Sequence, residues 1–209
     1  MKKTFLTGLV AGLLVLCVTV IANAAPIPVV TSWTSASIWS GGNWTIGYQF
    51  RANQNIEVTA LGYYDLNLDG LQNATTVTLW NNTGSLLGSA TVLQNDTLLG
   101  SFRYANLNNS ISLNMGETYR IGAGVDSTDW LYDVTGISTK SQITYLGGAW
   151  ANGQNVFTSR LTQGTTNYIS ANFLIDTTSS GPNPVPEPTT LILLGSGLAG
   201  LAFYRRKRK

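Results

Sequence analysis

The sequence predicts an all-β fold for residues 29–176, an antiparallel β-sandwich of the jelly-roll type. No stretch of this region has the periodicity of a long amphipathic helix, whereas short runs of alternating apolar and polar residues recur throughout it. Clusters of Asn and Gly separate these runs at the spacing typical of many short antiparallel strands. A region of about 150 residues buries a sufficient core without disulfides, and the 209-residue chain has a single Cys.

Short strands are predicted at 45–51, 56–63, 75–80, 86–93, 98–105, 110–113, 118–125, 142–145 and 168–175. The strand at 75–80 shows the period of two most clearly, since Val77 and Leu79 fall on one face and Thr or Trp on the other. This pattern predicts a half-buried strand. The Asn-Asn-Thr-Gly sequence at 81–84 follows it and predicts a hairpin turn into the next strand.

Composition excludes several classes of function. The chain has no His and a single Cys, which removes His-based catalytic triads, His-ligated metal centres and a disulfide framework. The formal net charge is +2, but Lys2, Lys3 and the basic run at 205–209 lie outside the region predicted to fold. Residues 25–187 contain five cations and all ten carboxylates, a net charge of −5, so no nucleic-acid partner is expected.

Residues 1–24 have the organisation of a secretory signal peptide. A pair of lysines precedes an apolar run at 5–21, and the Ala-Asn-Ala sequence that follows is the small-x-small pattern that signal peptidase accepts. Cleavage is expected after Ala24. Cys17 lies within the apolar run, so the mature protein is expected to contain no thiol. The alternative is an uncleaved anchor helix, because the run is longer than an ordinary signal core.

An acidic loop after the second predicted strand is a candidate calcium site. Asp65, Asn67 and Asp69 place hard oxygen ligands at alternate positions, and Gly70 follows them, as in the first half of a calcium loop. The twelfth position of the loop is Thr76 and not Glu, so the segment is not an EF-hand. The alternative is a solvated turn, since Asp, Asn and Gly favour turns without any ion.

A second group of residues is a candidate glycan-binding site. Carboxylates beside aromatic rings are typical of sugar recognition, because rings stack on the sugar and carboxylates accept its hydroxyl groups. The candidates are Asp126, Asp129, Asp133, Trp130 and Trp150, with Trp33, Trp39 and Trp44 as further aromatic residues. The alternative is that these rings fill the core of the sandwich and pair across its strands.

The C-terminal region divides into four segments. Residues 177–184 are polar and contain Gly and Pro, which predicts a flexible linker. An uncharged stretch at 189–204 would form a transmembrane helix of about 24 Å, shorter than the roughly 30 Å hydrocarbon core of a bilayer. The basic tail at 205–209 is a stop-transfer signal, so the C-terminus is expected to face the cytoplasm. Between linker and helix lies the motif 185–188.

This C-terminal arrangement resembles the PEP-CTERM sorting signal of exopolysaccharide-producing Gram-negative bacteria. The residues that carry the resemblance are Val185, Pro186, Glu187 and Pro188, followed by the glycine-bearing helix and the basic tail. The resemblance implies recognition by an exosortase, a membrane-embedded enzyme similar to cysteine proteases, and sorting to the cell surface or extracellular matrix. The segments 47–50, 77–80 and 116–123 are also similar to an uncharacterised β-rich module common in PEP-CTERM proteins, for which no catalytic residues are assigned.

The sequence therefore predicts an exported, non-enzymatic surface or matrix protein associated with exopolysaccharide or biofilm. Signal peptidase, the exosortase and the inner membrane are its expected partners during export, and calcium is the one cofactor considered. The first alternative is a carbohydrate-binding module that uses exposed aromatic residues. The second is a carboxylate-based glycan hydrolase or lyase, for which no local motif marks a pair of carboxylates.

Overall fold

The computed structural model describes residues 25–126, 128–162 and 166–176, and their regular structure is almost entirely β. The strands are β1 (Ile27–Pro28), β2 (Val30–Ser32), β3 (Ser35–Ser40), β4 (Trp44–Ala52), β5 (Ile56–Tyr64), β6 (Thr75–Asn81), β7 (Leu86–Val92), β8 (Thr97–Leu99), β9 (Phe102–Leu113), β10 (Thr118–Gly124), β11 (Asp129–Thr135), β12 (Ser138–Thr139), β13 (Ile143–Asn152), β14 (Arg160–Leu161) and β15 (Ala171–Asp176). A single 3-10 turn, Leu66–Leu68, follows β5.

The strands form two principal antiparallel sheets. A five-stranded sheet has the order β1-β15-β5-β9-β8, and a six-stranded sheet has the order β14-β13-β4-β10-β6-β7. Two short ribbons, β3–β11 and β2–β12, complete the fold. The chain crosses between the principal sheets from β4 to β5, from β5 to β6 and from β9 to β10, which is not the path of a simple meander. The predicted all-β sandwich is confirmed, and its finer jelly-roll description stays a prediction.

The core lies between the two sheets. The rings of Phe50 of β4 and Phe173 of β15 contact each other across it, with centroids 5.0 Å apart and planes inclined at 36°, and both are fully buried. Tyr48 and Tyr119 extend the aromatic layer on the six-stranded sheet. Large aromatic side chains from both sheets therefore supply much of the buried apolar area that stabilises the domain.

The prediction that the strand at 75–80 is half-buried is wrong. Both of its faces are covered, and Trp80, on the face opposite Val77 and Leu79, is only 4% exposed. The segment after β13 folds back over the outer face of the six-stranded sheet, where Phe157 meets Trp80 edge to face at 6.1 Å. The covering segment is distant in sequence, so the alternation of residues within 75–80 could not predict that the second face is buried.

Most predicted strands are present, with several changes of boundary, and the strand predicted at 142–145 extends to Asn152 as β13. The run at 98–105 is divided by a tight turn at Gly100, whose φ of 63° favours glycine, and β9 then continues unbroken to Leu113. The predicted hairpin at 81–84 is confirmed, because the Asn81 side chain accepts hydrogen bonds from the backbone N–H groups of Thr83 and Ser85. The ribbon strands β3 and β11 were not predicted.

The predicted signal peptide at 1–24, the linker at 177–184 and the sorting signal at 185–209 lie outside the described residues. Within the described part of the chain, no helix is long and apolar enough to cross a membrane.

Candidate functional site

A polar cleft of about 250 Å³ opens where β5, the turn after it and the start of β11 meet. We call it the Asp129 cleft. Its lining residues are Tyr63, Tyr64, Leu66, Asn67, Asp69, Gly70, Leu71, Gln72, Gln94, Thr128 and Asp129. The cleft therefore joins part of the predicted calcium loop, through Asn67 and Asp69, to one residue of the predicted glycan cluster, Asp129.

A buried ion pair fixes the base of the loop that forms one wall of this cleft. The Asp65 side chain is fully buried, and its Oδ2 lies 2.6 Å from Nε of Arg103. Arg103 also donates from Nη1 to the backbone carbonyl of Asp96 at 2.9 Å. The backbone N–H of Gly70 donates to both oxygens of Asp65, at 3.3 and 3.2 Å. Asp65 is thus a structural anchor that closes the loop 65–70 on itself.

The backbone of this loop adopts left-handed conformations that hold its side chains at the rim. Asn67 and Leu68 have φ values of 70° and 64°, and Gly70 has a φ of 118°. A side chain at position 70 would also approach Cγ and the carbonyl oxygen of Gln94 to 3.1 Å. The glycine therefore allows the loop to pack directly against the segment that carries Gln94.

Asp129 is held in one orientation by donors from two other elements. Ser40 of β3 donates to Oδ1, and the side-chain amide of Gln72 donates to Oδ2 at 3.0 Å. The hydroxyl of Tyr63 donates to the backbone carbonyl of Asp129 at 2.8 Å. Burial raises the pKa of the neighbouring Tyr64 hydroxyl, and the charges of Asp129 and Asp65 raise that pKa further. The cleft is thus ordered and carries a negative potential.

The three predicted calcium ligands have different surroundings in the structure. Asp65 is buried against Arg103, whereas Asn67 and Asp69 are exposed at the rim of the cleft. In the described residues, no group of three or more His, Cys, Asp or Glu side chains is placed to hold a metal ion. Because the carboxylate of Asp65 is occupied, an ion at this loop would depend on the two rim residues, and calcium binding stays a prediction.

The predicted glycan-binding residues are dispersed. Trp130 is only 7% exposed, and its indole N–H donates to the carbonyl of Gly41 at 3.0 Å. The Arg160 guanidinium covers the Trp150 ring at 4.6 Å. Asp126, which precedes β11, and Asp133, within β11, are both exposed and do not line the cleft. The structure thus corrects the role of Trp130, which packs in the core because the rings of Trp44 and Tyr168 enclose it at 5.9 and 5.8 Å.

The exposed tryptophan among the described residues is Trp39, at 53% exposure. It lies on the β3–β11 ribbon, where it pairs with Trp130, and its ring meets the Tyr132 ring edge to face at 6.2 Å. We call this pair the Trp39–Tyr132 surface. Small side chains, Ser37 and Ser40, stand beside Trp39 on its strand and leave its ring open to solvent. Such a partly supported, accessible ring can stack on a flat apolar surface.

A larger hollow of about 380 Å³ lies between the β11–β12 turn and β13. It is lined by Val134, Gly136, Ile137, Tyr145, Leu146, Gly147, Thr162 and Asn167. None of these lining residues is charged. The Asp129 cleft contains carboxylates and several amides, so it offers more groups that can bind a polar ligand than the hollow does.

Sequence reasoning missed Tyr64, Gln72, Gln94 and Thr128 as cleft residues. They come from separate segments, and none forms part of a motif that marks a binding site. Trp39 carried a weak local signal, since two large apolar residues stand among serines at 35–40, which is unusual for a buried strand.

Together, the sandwich and its polar cleft define a β-sandwich domain that presents binding groups on its loops. The chain belongs to the family described as Domain of unknown function (DUF4082), whose model matches residues 31–175. The PEP-CTERM protein-sorting motif matches residues 184–209 and confirms the resemblance found in the sequence. The protein is therefore a surface protein sorted by an exosortase. No curated protein matches the chain.

Proposed function

We propose that this protein is a non-catalytic component of the cell surface or extracellular matrix that associates with exopolysaccharide through its exposed aromatic residues. The observation that carries this proposal is the Trp39–Tyr132 surface. Trp39 is 53% exposed, so much of the apolar area of its ring stays in contact with water in the folded protein. A polysaccharide that stacks on the ring buries this area, and that burial favours binding. The sorting signal, which resembles that of exopolysaccharide producers, supports the same setting.

The charge of the domain supports stacking over electrostatic attraction. The folded region and linker, residues 25–184, carry an excess of four negative charges, so an acidic polymer would be repelled as a whole. An aromatic surface binds sugar rings through their apolar faces and needs no net positive charge. This favours an uncharged or weakly charged stretch of polysaccharide as the partner.

We expect Trp39→Ala to weaken binding of the exported protein to the producer's own exopolysaccharide at least about tenfold, or ~1.4 kcal/mol, because the stacking surface is removed. Co-sedimentation of the protein with the polymer measures this. The thermal midpoint of unfolding should stay within a few degrees, since the ring is exposed.

Ile38→Ala is the matched control, because Ile38 is the adjacent residue, 48% exposed and aliphatic. It should leave binding unchanged if ring stacking, and not exposed apolar area, holds the polymer. Equal binding by Trp39→Ala and the native protein would contradict the proposal. Release of reducing ends from the polymer in the same mixtures would instead favour the hydrolase or lyase alternative, for which Asp69 and Asp129 would be the carboxylates to test.

We further propose calcium as a ligand of the exposed rim of the loop 65–70. Calcium that binds only the native state should stabilise it by about 2.7 kcal/mol at one hundred times its Kd. We therefore expect millimolar calcium to raise the thermal midpoint of unfolding by several degrees and Asp69→Ala to abolish the rise. Asp126→Ala, which removes another exposed carboxylate, should retain it. A native protein whose midpoint ignores calcium would show that the loop is an ordinary turn.

We propose the following route for the exported chain. Signal peptidase cleaves after Ala24, and the helix at 189–204 holds the protein for a time in the inner membrane with its basic tail in the cytoplasm. The exosortase then acts at the motif 185–188. Mass spectrometry of both termini in each cell fraction reports this route.

A further inference from the structure

We propose that the Asp129 cleft binds a single uncharged sugar residue, separately from the Trp39–Tyr132 surface. The proposal deepens the association with polysaccharide stated above by adding a second site and the class of sugar that it takes. Its structural support comes from the cleft alone: its size, its hydrogen-bonding groups, its charge and its rigidity.

The size of the cleft fits one sugar ring. Its volume of about 250 Å³ lies just below the roughly 300–1,000 Å³ of pockets for drug-sized ligands. This size suits one sugar ring, such as a terminal or branching residue of a polymer.

The hydrogen-bonding groups of the cleft match a ligand with many hydroxyls. Gln72, Gln94 and Asn67 each present an amide that can both donate and accept. Asp129 accepts one donor on each carboxylate oxygen, and a carboxylate has about four lone-pair sites, so it can accept further hydroxyl groups. A sugar hydroxyl is itself both donor and acceptor, so it can satisfy either partner.

The charge of the cleft disfavours acidic sugars. Asp69 and Asp129 both line it, and none of its lining residues is cationic. The nearest cation identified at its base, Arg103, is bound to the buried Asp65 carboxylate. A uronate, sulfate or phosphate group entering the cleft would approach two carboxylates without a free positive partner. The cleft therefore selects for uncharged sugars.

The cleft is already organised before any ligand arrives. The Asp65–Arg103 pair fixes the loop, and Ser40 and Gln72 fix Asp129. Tyr64 is held edge to face by Trp33 and Phe102, with centroids 5.9 and 6.0 Å away, so the wall that it forms is rigid. Preorganisation lowers the ordering cost of binding, which matters most for a small ligand.

The test is titration of the exported protein, followed by amide chemical shifts in NMR, with glucose, galactose, mannose, N-acetylglucosamine and glucuronate as probes. A chelator is present, so that no calcium ion contributes. We expect at least one neutral sugar to bind in the millimolar range and glucuronate to bind at least about tenfold more weakly than it. The shift changes should map to the residues of the Asp129 cleft.

The expected losses are specific to this site. Gln94→Ala alone, and Gln72→Ala with Gln94→Ala, should each weaken neutral-sugar binding, the double variant at least about tenfold. Gln49→Ala is the matched control, because Gln49 lies on the six-stranded sheet, where its amide donates to Asn82. Asp69→Lys should raise glucuronate affinity, because it brings a cation to the exposed rim.

Several outcomes would overturn the proposal: no neutral sugar binds, the cleft variants bind as the native protein does, or glucuronate binds equally well. Binding that is absent with the chelator and appears when calcium replaces it would show that an ion, and not direct hydrogen bonding, holds the sugar. The two proposals can fail separately. Loss of the cleft site leaves polymer binding through Trp39 intact, and loss of the Trp39 effect leaves monosaccharide binding intact.

Discussion

Replacing Pro186, Glu187 and Pro188 with alanine is expected to trap the protein in the inner membrane with its basic tail still attached. Proline restricts its own backbone and that of the preceding residue and disfavours a helix, and alanine at these positions would remove that restriction. The variant would therefore lack two features by which an enzyme that binds extended peptides can recognise the motif, the restricted backbone and the charge of Glu187. Cell fractionation, with mass spectrometry of the C-terminus, measures the change from surface to membrane form.

The linker offers a matched control for this experiment. Pro182 and Asn183 place a proline beside a polar residue just before the matched segment 184–209, so their replacement by alanine removes backbone restriction outside the sorting signal. This control should reach the surface normally. A host without exosortase should show the same trapping as the motif variant. Normal surface levels and a normal C-terminus in the motif variant would show that 189–204 is only an anchor.

The sorting signal could be predicted from sequence because the residues that define it, 184–209, form one contiguous segment. The same holds for the hairpin at 81–84, where the Asn81 side chain and Gly84 make the turn by themselves. Strand alternation also comes from local sequence, and it gave the sandwich correctly. These features depend on residues a few positions apart, so no knowledge of tertiary contacts was needed.

The features that sequence could not supply depend on distant partners. The strand at 75–80 was predicted to be half-buried, but Phe157, from far along the chain, packs on Trp80 and covers its second face. Trp130 looked like a sugar-binding residue, but the Gly41 carbonyl accepts its N–H and neighbouring rings enclose it. The aromatic residue left exposed is instead its ribbon neighbour, Trp39. Whether an aromatic ring is buried depends on the segments that pack against it. These tertiary contacts cannot be predicted from the local sequence around the ring.

The candidate site shows the same division. Asp65, Asn67 and Asp69 were noticed because they alternate within one loop, yet the partner of Asp65 is Arg103, on a different strand. No sequence motif marked Gln72 or Gln94 as a binding residue, because isolated glutamines are common on protein surfaces. The sequence therefore predicted the loop that builds one wall of the cleft, and the structure was needed to find the other walls.

Arg103→Met is expected to have a large effect on stability, a loss of about 3–5 kcal/mol in the free energy of unfolding, because it leaves the fully buried Asp65 carboxylate without its cation. Native domains are stable by only about 5–15 kcal/mol, so this variant approaches the limit of folding. Urea denaturation of the exported protein measures the loss. Arg51→Met, at an exposed position on β4, is the matched control and should change stability by less than about 0.5 kcal/mol.

The double variant Asp65→Leu with Arg103→Met distinguishes a buried charge from lost packing. An apolar pair in place of a buried ion pair is often neutral or stabilising, so the double variant should recover most of the stability that Arg103→Met loses. It should nevertheless lose neutral-sugar binding, since Gly70 then has no carboxylate to hold the loop against Gln94. A loss below about 1 kcal/mol for Arg103→Met alone would mean that backbone contacts, and not the ion pair, fix the wall of the cleft.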